Sequence, residues 1–265
     1  MTMRRVPFAL AVALLPALAA ARAAPAETVS DASLGYTLEV PAGWQRIPDA
    51  TLRQNFAGVT KPGAPLPNFV AAFQPKRNAS YFEYPYVLVH VQDYGNGVSL
   101  SSVSRSDVDE IVSSITGLKP DQIKRSMSDE AAAALKGAAI ERPTVITSPP
   151  GFVTDIHLNV AGRGAVRGRS YALLGRTNVA YVHFYAREAD WSSNSRTLEG
   201  LVTSFRRTPG QSITMGQSTV TTTGRTLSKG FNWTSVWSKA LAGGILGAAG
   251  AMVGRFANRR KNVEP

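Results

Sequence analysis

The sequence has no cysteine and only three histidines in 265 residues. Without cysteine there is no disulfide, no thiol nucleophile and no lipidated N-terminal cysteine, so an exported domain must be stable on its core alone. The histidines are His90, His157 and His183. They show no H-x-H or H-x-x-x-H spacing, so a local zinc motif is missing. No serine sits in a G-x-S-x-G elbow, and neither a Walker A loop nor a dinucleotide-binding glycine pattern occurs, so no cofactor is indicated. Acid is scarce too: 18 Asp and Glu stand against 29 Lys and Arg, a formal net charge of +11.

Much of that charge lies at the two ends. Arg4, Arg5 and Arg22 flank one apolar stretch, and Arg255, Arg259, Arg260 and Lys261 follow another, partly offset by Glu264. The excess left between them is modest, so nucleic acid is not an indicated partner. Residues 1–23 read as a secretory signal: Arg4-Arg5 form the basic start, Val6 to Ala20 the apolar run, and Ala21-Arg22-Ala23 the cleavage site.

Residues 236–257 read as a transmembrane helix. The uncharged stretch Ala240 to Gly254 would span about 22 Å as a helix, against a hydrocarbon core of about 30 Å, and extension to Val236 and Ala257 closes the gap. Lys239 and Arg255 then snorkel at the ends, and Trp233 and Trp237 fall at an aromatic belt. Gly243, Gly247, Gly250 and Gly254 share one helical face, a bare stripe suited to close helix packing and self-association. Basic residues 258–265 predict a cytoplasmic tail under the positive-inside rule. The domain in between is thereby expected on the far side of a bacterial inner membrane, in the periplasm.

The intervening chain is long enough for one domain with a proper core. Tyr36 to Val40 alternates as a strand and runs into the turn Pro41-Ala42-Gly43 and Trp44. Further strands are predicted over Asn68 to Phe73, Tyr86 to Gln92, Arg142 to Thr147, Phe152 to Val160, Ala165 to Gly175 and Val179 to Ala186. Short turn-rich connections make the sheet antiparallel. Helices are predicted over Asp107 to Thr116, with a capping box at Ser106 and Asp109, over Ser128 to Lys136, and over Trp191 to Phe205. Residues 207–235 are rich in Thr, Ser and Gly and read as a flexible linker.

The Pro-x-Gly-Trp turn, the mid-chain helix, the strand Val179-Ala-Tyr-Val-His-Phe-Tyr-Ala and the closing helix ending at Phe205 resemble the PsbP-like superfamily, which includes DcrB-like envelope proteins. The resemblance covers residues 34–206. It implies an α/β/α sandwich around an antiparallel sheet (an α+β class) and an accessory or binding role; no functional residue is carried over from it.

Two groups of side chains carry candidate chemistry. By period-two parity His90, His157 and His183 can share one sheet face with Asp155, a set able to hold a metal, or else four separate polar positions. Arg163, Arg167 and Arg169 on and after a glycine-rich turn suit an anion, or else form an ordinary solvated hairpin. The expected function is therefore a membrane-tethered accessory domain that engages an envelope protein. The rivals are a metal- or ligand-dependent enzyme built on the histidine face and a glycine-zipper homo-oligomer.

Overall fold

In the computed structural model residues 27–215 are described, apart from 64–67, 96–97 and 118. The alternation at Tyr36–Val40 does what its pattern dictates. Tyr36, Leu38 and Val40 are buried while Glu39 faces out, and this strand, β2, pairs antiparallel with β1 (Glu27–Asp31). The turn after β2 needs Gly43 at φ 80, a left-handed conformation that suits glycine, and it delivers β3 (Trp44–Arg46).

Next comes helix α1 (Asp49–Val59), which the sequence reading left unassigned. Its buried stripe is Leu52, Asn55, Phe56 and Val59. The helical period is complete only when polar Asn55 is counted as a core residue, which hides it from a hydrophobicity pattern.

Strands β4 (Phe69–Pro75) and β5 (Tyr86–Asp93) follow, then the two-residue β6 (Ser102–Val103) and α2 (Arg105–Thr116). The capping box of α2 is Ser104 with Asp107, not Ser106 with Asp109. The Asp107 N–H donates to Ser104 Oγ at 3.2 Å and the Ser104 N–H to Asp107 Oδ2 at 2.9 Å. Both pairs have the same spacing, and the helix starts two residues earlier than expected.

After α3 (Pro120–Lys124) and α4 (Asp129–Ala134), the helix expected to continue to Lys136 stops. Leu135–Ile140 is strand β7, paired with β9. The run of alanines favours helix locally, but β7 covers the edge of a long strand, and that pairing prevails. Strands β8 (Thr144–Thr147), β9 (Pro150–Val160), β10 (Gly164–Leu174) and β11 (Asn178–Arg187) form the antiparallel meander that was expected. Helix α5 (Trp191–Ser204) closes it.

The large sheet has the order β3-β4-β5-β11-β10-β9-β7, with β8 beside the start of β9. Its pairings are antiparallel. Both faces are buried. On one, Leu88, Ala172, Tyr181, Tyr185, Ile156 and Leu158 pack with residues of α1, α2 and α4. On the other, Val87, Val89, Val182, Phe184 and Leu173 pack with Tyr36 and Leu38 of β2 and with Leu198, Leu201 and Val202 of α5. The fold is α+β, with a large antiparallel sheet and few helices. The second covering layer differs from the expected one in being mixed, a small sheet beside a single helix.

The folded chain continues past Phe205. Strand β12 (Arg206–Arg207) pairs with β2, a short 3-10 turn follows at Pro209–Gln211, and β13 (Thr214–Met215) lies parallel to β6. Phe205 belongs to the core beneath α5 and Ile213 to the core beneath α2. Residues 206–215 thus form a strap across the end of the sheet, from one core to the other, where a linker was expected to begin. Among the described residues no helix is long and apolar enough to cross a membrane. The signal 1–23, residues 216–235 of the linker, the span 236–257 with Gly243, Gly247, Gly250 and Gly254, and the tail 258–265 lie outside the described residues.

Candidate functional site

The three histidines do not share a face. His90 lies opposite Tyr181, and His183 lies opposite both Leu88 and Ser170. Ser170 is in turn opposite Thr154, whereas Asp155 is opposite Arg169 and His157 opposite Arg167. Directly paired residues point to the same side of a sheet. His90 and His183 therefore face the core under α1, and Asp155 and His157 face the side of α5. The expected His90, His157, His183, Asp155 set is split by the thickness of the sheet. Parity within each strand was correct. The phase between strands was not, because it assumed one apolar face on a sheet whose two faces are both apolar. Among the described residues no group of three His, Asp or Glu side chains is arranged to hold a metal.

His90 and His183 are 5% and 0% exposed. They alternate with Tyr181, whose ring lies 5.5 Å from His90 and 5.9 Å from His183, and Phe69 covers both at 5.7 and 6.5 Å. His183 Nδ1 is 2.7 Å from Ser170 Oγ. His183 Nε2, His90 Nδ1 and the Asn55 amide have no hydrogen-bond partner among the described residues. Burial pushes the imidazole of His90 down to about 4 and that of His183 down to about 3, the latter helped by His90. Both are neutral near pH 7 and shut away from solvent.

On the opposite face Asp155 joins two cations. Arg169 donates from Nε to Asp155 Oδ1 at 2.6 Å and from Nη2 to Oδ2 at 2.8 Å; Arg167 Nη2 adds a bond to Oδ2 at 2.7 Å. Both guanidiniums lie over Trp191, at 4.6 Å for Arg167 and 5.4 Å for Arg169. Burial alone would raise the Asp155 carboxyl, but the bonds from Arg169 and Arg167 outweigh it and hold the carboxyl below its ordinary value. His157 sits at the rim, 2.8 Å from Glu141 and 3.6 Å from Glu188. Arg167 and Arg169 are committed to Asp155, and Arg163 remains in the turn between β9 and β10, where its N–H donates to the Val160 carbonyl.

In the connection from β4 to β5 the sequence marks a loop at Pro75 to Ser80 and no functional residue. Gln74, near the end of β4, is completely buried. Its amide donates to the Ser80 carbonyl at 2.9 Å and accepts the Phe82 N–H at 2.8 Å. Asn78 donates to the Glu83 carbonyl at 2.8 Å, and the Lys76 N–H reaches the Gly43 carbonyl at 2.8 Å, tying the loop to the Pro-x-Gly-Trp turn. Phe82 has φ 61, in the left-handed region, and is buried edge-on to Phe56 and Tyr86. Next to it Tyr81 is 43% exposed, and Lys76 and Arg77 are exposed. The only sequence cue was an aromatic cluster, Tyr81-Phe82-Glu83-Tyr84-Pro85-Tyr86, within a stretch rich in loop formers.

The strap carries the last notable polar group. Arg207 donates to Asn178 Oδ1 at 2.7 Å and to the Leu173 carbonyl, and lies over Phe205 at 5.4 Å. Its guanidinium occupies the space beside Gly175, where a Cβ would stand 2.8 Å from Arg207 Cζ. Burial pushes Arg207 down to about 10, so it keeps its charge at neutral pH.

No protein-family model matches this chain, and no curated protein sequence does. Solved structures do. The cyanobacterial PsbP (CyanoP) of Synechocystis is similar over 73% of this chain and 98% of its own, at 12% identity and a TM-score of 0.44. The Ran-binding protein Mog1p of Saccharomyces cerevisiae is similar over 69% of this chain and 95% of its own, at 14% identity and a TM-score of 0.36. LpqN of Mycobacterium tuberculosis, described as involved in cell envelope biogenesis, is similar over 71% of this chain and 88% of its own, at 12% identity and a TM-score of 0.34. All three have the Mog1p/PsbP-like fold.

Proposed function

We propose that this chain is a membrane-tethered, periplasmic accessory domain that acts by binding an envelope protein, with no chemistry of its own. One observation carries the reading. The side chains best suited to chemistry are built into the interior or into one another: His90 and His183 lie within a core, and Asp155 is clamped by Arg167 and Arg169. The sequence supplies the mounting, through the signal at residues 1–23 and the apolar segment at 236–257. A domain displayed in this way presents its outer surface to neighbours in the same compartment.

Chemical crosslinking of the full-length protein in intact cells, followed by purification under denaturing conditions, tests this reading. Recovery of a heteromeric adduct with one recurring envelope protein is expected. Recovery of the uncrosslinked chain alone under several crosslinking chemistries sinks the proposal. Adducts of the chain with itself alone would move the weight to the Gly243, Gly247, Gly250 and Gly254 face as a homo-oligomer contact.

A further inference from the structure

We infer that the loop between β4 and β5, on which Lys76, Arg77 and Tyr81 are exposed, is the surface that docks the partner, and that the partner presents an acidic protein face. The inference rests on the binding role proposed above and gives that role a site.

The argument begins with the loop's construction. A hairpin of two antiparallel strands is closed most simply by two to five residues. Here residues 76–85 intervene, and their path is fixed by side-chain bonds. Gln74 is fully buried and gives both ends of its amide to the loop backbone, through Ser80 and Phe82, while Asn78 holds Glu83. Phe82 adopts a left-handed conformation that is unfavourable for a non-glycine residue. The strain is held in place by burial of its ring against Phe56 and Tyr86. With Phe82 driven inward, Tyr81 is turned outward. Strained backbone over-determined by its surroundings clusters where a surface must be displayed in one conformation.

The displayed chemistry then selects the partner. Tyr81 and Val145 are the exposed large hydrophobic side chains among the described residues, and Tyr81 alone stands on such a braced loop. Lys76 and Arg77 are exposed, and among the described residues neither makes an ion pair; Glu83, the loop's one acid, is half-buried. Tyrosine and arginine are the residue types that concentrate binding energy at interfaces, and a rigid loop loses little entropy on association. Two exposed cations on the same loop as the tyrosine favour an acidic counterpart and repel a basic one. An anionic bilayer also attracts cations, but fluid headgroups conform to any loop and would not reward a fixed backbone. The geometry therefore favours a protein face.

The test uses the full-length protein in its native membranes, with the photo-crosslinking residue p-benzoylphenylalanine placed singly at Ala79, Tyr81 or Val145. The expected result is a protein adduct from positions 79 and 81. Its yield should fall roughly tenfold when Lys76→Glu and Arg77→Glu are combined and should also fall at high salt. Because Lys76, Arg77, Ala79 and Tyr81 are exposed, these variants should melt within a degree or so of the parent, and the melt is run alongside. A protein adduct from Val145 only would overturn the loop assignment while sparing the binding role. Adducts from none of the three positions would count against both. Lipid adducts at 79 and 81, or a protein adduct indifferent to charge reversal, would overturn the acidic-partner assignment.

Discussion

His90 and His183 are neutral because they are dry. In the folded chain they stay unprotonated until about pH 4 and about pH 3, whereas in the unfolded chain each takes a proton near pH 6.5. Their contribution to stability is therefore whole above about pH 6.5 and is lost as the pH falls through 4 towards 3. Between those limits each histidine contributes a slope of about 1.4 kcal/mol per pH unit. Urea unfolding at a series of pH values between 7 and about 4.5 should show stability falling with acid. His90→Phe, which keeps a ring between Phe69 and Tyr181, should remove about one proton's worth of that slope. An unchanged slope would mean that His90 is hydrated in the fold. That these residues are histidines on strands was plain from the sequence; which core they enter was not. A strand reports only that its neighbours alternate, and the pairing of Ser170 with His183 and Thr154 supplies the missing phase.

At the scale of elements, the sequence was read best where one pattern dominates: β2, the β9-β10-β11 meander and α5 lie close to where periodicity puts them. It was read worst where a second force competes. Helix α1 carries Asn55 in its buried stripe, and the alanines before Leu135 favour helix until β9 offers a ladder. The strap was illegible for another reason: Thr208 to Met215 has a linker's composition, and its order comes from distant partners. The Gln211 side chain bonds to Thr177, the Arg176 N–H to the Gln211 carbonyl, and Arg207 to Asn178. A soluble version ending after Met215 should be more stable than one ending after Arg207 by roughly 2–4 kcal/mol, from burial of Ile213 and the bonds of Gln211. Denaturant midpoints of the two proteins measure this, and coincident midpoints would show the strap to be inert.

For the whole molecule, the proposed arrangement is a periplasmic domain on a single C-terminal span. Reporter fusions after Thr223 and after Pro265 check the arrangement. Activity outside at the first position and inside at the second is the expected pair, by the charge rule that puts Arg259, Arg260 and Lys261 in the cytoplasm. Activity outside at both would remove the span. The fold class was legible at this scale, as a large antiparallel sheet with few helices. The loop proposed as the docking surface was not, because its bracing depends on one buried glutamine whose role no local pattern reveals. The strap would have a mechanical consequence were the protein mounted in the proposed way. Load applied from the C-terminal side would enter the described domain at Met215, where the short β6–β13 ladder and Ile213 are the first contacts among the described residues to resist it. Behind them stands the Arg207 guanidinium, wedged beside Gly175 between the cores. Tension would therefore peel a few residues of slack from the strap before it reached the sheet, an extensible joint in series with a stiff body.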